Sequence, residues 1–154
     1  MRRIALVPMT VLIVAFALVA CGDSAPTKAD YKKQFDPINQ QVKDLGSAVG
    51  DAVLTAKGKT DTELATQFTD LSAQTETLAG DVGKLETPGD DIQKNQDALV
   101  SALREGARGL QSIAEAASAG NATAAKGGTI KLATVTSPKI KESREAIEKQ
   151  LAGS

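Results

Sequence analysis

Residues 61–86 read DTELATQFTDLSAQTETLAGDVGKLE, and within them Leu64, Phe68, Leu71, Thr75, Leu78, Val82 and Leu85 recur at alternating steps of four and three. An α-helix turns once in about 3.6 residues, so this alternation draws a stripe along one helical face, whereas a half-buried strand alternates at every second residue. The same steps occur upstream as Tyr31, Phe35, Ile38, Val42, Leu45, Val49 and Ala52, and downstream as Ile92, Gln96, Leu99, Leu103, Gly106, Leu110, Ile113 and Ala117. A weaker fourth segment carries Ile130, Leu132, Val135, Ile140, Ile147 and Leu151, interrupted by Gly127-Gly128 and Pro138. Proline in a helix interior costs about 3 kcal/mol, so a kinked or divided helix is expected there.

Four stripes that each need cover, joined by short connections, predict an all-α domain. Its economical form is an up-down-up-down antiparallel four-helix bundle over residues 28–154, with helices at 28–57, 61–86, 88–119 and 122–152 and a break near Pro138. The boundaries carry matching chemistry. Gly58 is placed to end the first helix in a left-handed conformation, and Thr60-Asp61-Thr62-Glu63 has the form of a capping box. Pro88 suits a first helical position, with Asp90 and Asp91 at the positive end of the helix dipole, and Gly120-Asn121 offers a stop followed by a cap. Pro37 interrupts the first stripe, and predicts either a kink or a short turn before a helix capped by Asp36.

The N-terminal residues are of a different kind. Met1-Arg2-Arg3 is cationic, and Ile4 to Ala17 is an apolar run broken only by Pro8 and Thr10, too short for a permanent membrane span and of the form of an export signal. Nothing precedes the arginine pair that would suit a twin-arginine signal, so the general secretory route is expected. Leu18-Val19-Ala20-Cys21 follows, with the single cysteine of the chain at its end. This tetrapeptide resembles the lipobox of bacterial lipoproteins. The resemblance implies that Leu18, Val19 and Ala20 are read by the processing enzyme, that residues 1–20 are removed, and that Cys21 receives a diacylglycerol thioether and often a third acyl chain. Two or three chains hold a protein stably on a membrane, since each buried methylene contributes about 0.8 kcal/mol. The other reading of Cys21 is a thiol beside an ordinary signal-peptidase site, open to pairing with a partner chain. Residues 22–27 (GDSAPT) form a short polar tether of about 20 Å at roughly 3.4 Å per residue, which keeps the domain near the extracytoplasmic face of the cell membrane. In a host with two membranes, Gly22 rather than Asp directly after the cysteine argues against inner-membrane retention.

Composition excludes more than it assigns. Without Arg2 and Arg3 the 18 basic and 19 acidic residues become 16 against 19, a formal charge of −3 that does not suit nucleic acid. The chain has no histidine, which removes carboxylate-histidine di-iron sites, ordinary zinc sites and Ser-His-Asp or Cys-His catalysis. Outside residues 1–20 the aromatic residues are Tyr31, Phe35 and Phe68, and small residues fill many stripe positions, so close helix approach and little internal space are expected. No cofactor is expected. Glu86, Asp90 and Asp91 form the densest acidic patch, but they lack the regular spacing of a calcium loop, and placement at a helix start accounts for the two aspartates. No metal site is assigned.

Thr75, Gln96 and Gly106 are the polar or small members of the stripes. They either set register and close packing or line a small-ligand site between helices. Lys139, Lys141, Arg144 and Lys149 interleave with Glu142, Glu145 and Glu148, the pattern of a solvated helix face with pairs such as Glu145 with Lys149. The leading expectation is a non-enzymatic lipoprotein whose helices serve as a structural, adaptor or protein-interaction module for an envelope partner. The alternative is a bundle that binds or senses a small ligand between its helices. The anchor has a direct test: Cys21→Ser is expected to move the domain from the membrane to the soluble fraction, and retention on membranes washed at high salt would overturn the lipobox reading.

Overall fold

The computed structural model describes residues 25–153, so the signal, Leu18, Val19, Ala20 and Cys21 lie outside the described residues. Helix α1 spans Lys28–Leu54, a 3₁₀ turn follows at Ala56–Gly58, and α2 spans Asp61–Gly83, α3 Asp90–Ser118, α4 Ala122–Lys131 and α5 Ser137–Ala152. A π-helical turn at Leu132–Thr136 joins α4 to α5 without a gap, so the described residues form four helical segments and no strand.

Side chains at the ends explain where the segments start and stop. The Thr27 hydroxyl accepts the Asp30 N–H at 3.2 Å and opens α1. The capping box at α2 is complete, with the Glu63 N–H donating to Thr60 Oγ1 at 3.3 Å and the Thr60 N–H donating to Glu63 Oε2 at 2.8 Å. Gly120 closes α3 at φ 65°, with its N–H on the Ala117 carbonyl and the Asn121 N–H on the Ala116 carbonyl, the paired bonds of a Schellman motif. The Asn121 side chain then accepts the Ala124 N–H at 3.0 Å and starts α4.

Three boundary expectations are corrected. Gly58 is not left-handed; α1 ends earlier, at Leu54, and Thr55 and the 3₁₀ turn carry the chain onward. Pro88 is not the first residue of α3, because Gly89 takes the N-cap position and the helix begins at Asp90. No turn capped by Asp36 occurs, since α1 runs through Pro37. Pro37 lies on the exposed face, where the carbonyl it leaves unpaired, that of Lys33, can be hydrated.

The fourth segment passes its proline in a way the sequence did not predict. Pro138 has no N–H, and in the preceding turn the Ser137 N–H bonds back five residues to the Leu132 carbonyl instead of four. The segment is thus divided by a π turn just ahead of Pro138, as a kinked or divided helix would require, while the chain stays helical throughout. Each extra residue turns the following face by about 100°. Leu132, Thr136, Ile147 and Leu151 are buried, whereas the marker residues Ile130 and Val135 are 53 % and 40 % exposed.

α2 and α3 share the most extensive interface, α3 also packs on α4 and α5, and α1 lies on α2 and, more sparsely, on α5. Tyr31, Phe35, Phe68, Leu99, Leu103, Leu110 and Ile113 are among the buried side chains of the core. Burying one side chain of this size contributes about 1.5–3 kcal/mol. α4 meets α3 through glycine: a Cβ on Gly128 would stand 2.7 Å from Ile113 Cγ1, while a Cβ on Gly127 would meet nothing within 4 Å. Ile113 is itself buried and cannot move aside cheaply. Gly128→Ala is therefore expected to destabilise the domain by about 1–3 kcal/mol through overpacking, and Gly127→Ala to stabilise it by about 0.5–1 kcal/mol through helix propensity. Urea midpoints of the two variants check this, and a stabilised Gly128→Ala would refute the close approach.

Candidate functional site

Three of the four helical segments place small or short side chains around one cleft, and α2 adds Thr75 to its floor. Val42, Leu45, Gly46 and Val49 come from α1, Leu103, Gly106 and Leu110 from α3, and Leu132, Ser137 and Ile140 from the π turn and α5. The cleft has a volume of about 310 Å³ and is open to the surface. Small-molecule sites occupy about 300–1,000 Å³, so it stands at the lower end of that range. The expectation of little room for a large internal cavity concerned enclosed space, and this cleft is open to the surface. Small residues bring α3 against α4 at Gly128, but between α1 and α5 they leave a gap that no longer side chain fills.

Thr75 and Gly106 meet on its floor. A Cβ on Gly106 would lie 3.5 Å from Ile140 Cδ1, 3.5 Å from Thr136 Cγ2 and 3.7 Å from Thr75 Cγ2, all ordinary contact distances. The Thr75 hydroxyl donates to the Leu71 carbonyl at 2.6 Å, which satisfies its polar group within its own helix. Gln96 is not brought to the cleft. Its Oε1 accepts the Tyr31 hydroxyl at 2.8 Å and its Nε2 donates to the Leu85 carbonyl at 3.0 Å, so its carboxamide ties α1, α3 and the chain after α2 together. Of the three seam residues, two line the cleft and the third is a structural crosslink.

The mouth carries Lys43, Lys141 and Arg144, and no acidic side chain is among the lining residues. Behind it, Glu148 Oε1 accepts Asn39 Nδ2 at 2.6 Å, Lys43 Nζ at 3.1 Å and Arg144 Nη1 at 3.2 Å. Partial burial works against the Glu148 charge, yet the bonds from Asn39 and Lys43 and the nearby cations Arg144 and Lys43 hold its carboxyl below the usual range. The side chain of Arg144 is only 12 % exposed, which corrects the picture of this face as uniformly solvated. Glu145 pairs with Lys141 at 3.8 Å and Arg144 at 3.7 Å rather than with the expected Lys149, and Lys139 pairs with Glu105 at 2.9 Å.

The sequence reading missed Asn39, Thr136 and the Glu148 crosslink between α1 and α5. Asn39 continues the four-residue steps from Tyr31 and Phe35, and Glu148 lies four residues after Arg144, so helical spacing was the available signal. Asp90 and Asp91 occupy the first turn of α3, as the dipole favours, and among the described residues no group of three or more acidic or thiol side chains could hold a metal ion. Among them, too, no helix is long and apolar enough to cross a membrane.

The fold and the cleft define an all-helical domain with an apolar, cation-rimmed cleft. Comparison with protein-family models, curated proteins and solved structures finds no match to this chain.

Burial raises the Tyr31 phenol well above its ordinary value of 10.0. A pKa raised in the folded state contributes stability that is complete below the unfolded value and lost as pH climbs through and beyond it. Stability is thus expected to fall above about pH 10, and Tyr31→Phe to flatten that part of the fall while costing about 1–3 kcal/mol at neutral pH by orphaning Gln96 Oε1. Tyr31 is the only tyrosine, so its ultraviolet titration reports directly. Ionisation at an ordinary pH in the folded protein would refute the buried hydrogen bond.

Proposed function

We propose that this chain is a lipid-anchored, non-enzymatic protein of the extracytoplasmic membrane face, whose helices form an up-down-up-down antiparallel bundle and hold a small apolar ligand between α1 and α5. The cleft at Thr75 and Gly106 carries the proposal, and it raises ligand binding above the adaptor role that led on sequence alone. The bundle topology is supported by the short connections at 55–60, 84–89 and 119–121, and by contacts that pass from α1 to α2, α3 and α5 and return to α1. The anchor rests on Leu18-Val19-Ala20-Cys21, and the non-enzymatic reading on a chain without histidine.

A protein partner is the second reading, favoured by Leu54, Ile130 and Val135, which are large apolar side chains left at 81 %, 53 % and 40 % exposure. In that case the lipidated chain, crosslinked in cells, yields one reproducible envelope protein and no compound shifts its melting temperature.

Gly46 gives the cleft a clean test, because it lines the cavity and a Cβ there meets nothing within 4 Å. Gly46→Leu is expected to retain or raise the unliganded melting temperature while filling the space. A ligand at about 100 times its Kd stabilises the wild-type chain by about 2.7 kcal/mol, a shift of several degrees. The same compound is expected to leave Gly46→Leu unshifted; equal shifts in both proteins would overturn the cleft as the binding site.

A further inference from the structure

We propose that the occupant of the cleft is a single-chain aliphatic carboxylate, its tail between α1 and α5 and its head group against Lys141 and Arg144. This rests on the cleft being the binding site, and it adds the chemical class of the ligand. The inner wall is aliphatic, with Val42, Leu45, Leu103 and Leu110, so it offers an alkyl chain dispersion contacts and removal from water but no polar anchor. The Thr75 hydroxyl is already committed to the Leu71 carbonyl. The volume of about 310 Å³ suits one chain better than the two of a membrane phospholipid.

Charge selects the head group. Every ionisable side chain on the lining is a cation: Lys43, Lys141 and Arg144. The acids facing them are Glu148 and Glu145, both outside the lining. Glu148 takes Lys43 and one Arg144 nitrogen at 3.1 and 3.2 Å, which commits those groups to holding α1 on α5. Lys141 is the least committed: among the described residues its one ion pair is with Glu145 at 3.8 Å, between side chains 68 % and 50 % exposed. Such an exposed pair contributes little and yields readily to a better partner. Arg144 is more engaged, with Nη1 on Glu148 at 3.2 Å and on Asn39 Oδ1 at 3.4 Å and Nη2 facing Glu145 at 3.7 Å, so it adds positive charge beside Lys141 while Lys141 supplies the free donors. A cationic amphiphile would meet three like charges at the same place, and a neutral one would leave Lys141 without a new partner.

The π turn adds a reason for the cleft to persist. It places Leu132 and Ser137 on the lining and Thr136 beneath Gly106, so the wall opposite α1 is set by backbone geometry at Pro138 and not only by side-chain packing. π-helical geometry occurs mostly as single turns inside α-helices, and such turns are frequent at functional sites.

Photoaffinity labelling of the full chain in membranes tests the proposal, using diazirine-bearing dodecanoate, dodecanol and dodecylammonium and mapping the labelled peptides. Dodecanoate is expected to label residues 42–49 and 137–144 about fivefold more than dodecanol, and dodecylammonium least. Lys141→Glu is expected to lower the dodecanoate label about fivefold without changing the dodecanol label, and Gly46→Leu to remove both. Equal cleft labelling by the acid and the alcohol, or preference for the amine, would overturn the carboxylate while leaving the cleft as the binding site. Absence of cleft labelling by all three, with no effect of Gly46→Leu, would overturn the binding site itself.

Discussion

Helices α1, α2 and α3 each bury one stripe of side chains, and the volume of the side chains along those stripes is uneven. Tyr31 and Phe35 stack at 5.6 Å near the start of α1, and Phe68 lies in α2, while the middle of α1 offers Val42, Leu45, Gly46 and Val49. A helix is close to a rigid rod over such a length, so it cannot move inward where its side chains are short and outward where they are long. The cleft lies along that middle stretch, where α1 meets α5 only sparsely.

The same shortage has the opposite result at the other face of α3. Gly128 lets α4 approach Ile113 until no Cβ would fit, and α2 and α3 share the most extensive interface of the domain. A pair of well-packed helices thus carries a looser α1, whose attachment to α5 depends on polar ties: Asn39, Lys43 and Arg144 converging on one carboxylate oxygen of Glu148. Such a cluster is worth more than an exposed pair because Asn39 and Arg144 are largely withdrawn from water, and it has a defined geometry that apolar contact alone would not give. It therefore fixes the spacing of the two helices that border the cleft.

Much of this was legible in the sequence. The stripes of α1, α2 and α3 rest on a repeat that only a helix satisfies, and all eight positions of the third stripe are buried. The capping box at Thr60 and the stop at Gly120 are local chemistry, decided by residues a few positions apart, and both were readable. What failed was non-local or turned on backbone alternatives. Gly58 can adopt a left-handed conformation but has no need to, because a 3₁₀ turn serves the chain there as well. Pro138 signals that one hydrogen bond is lost, and the sequence does not say whether the helix will break or widen by one residue to absorb it. That choice rotates Val135 outward and Thr136 inward, so the fourth stripe was misread where the π turn shifts it. The seam was half legible for a related reason: Thr75, Gln96 and Gly106 share a stripe signal, but only the position of Tyr31 on another helix makes Gln96 a crosslink.

The position of the cleft bears on what a membrane tether would accomplish. Its lining begins at Val42, 14 residues beyond the start of α1 at Lys28, or about 21 Å along the helix at 1.5 Å per residue. A tether of about 20 Å would set the start of α1 near the bilayer, so a helix standing upright presents the cleft beyond the head groups and one lying flat presents it at the surface. A single-chain carboxylate partitions reversibly into the bilayer, so its local concentration is highest within that short distance. Anchoring would then act as effective concentration does between linked modules, raising occupancy of a shallow cleft without any added contact. Were Cys21 lipidated and the cleft a binding site, as proposed, the two would serve one function, with the modest size of the site offset by where it is held.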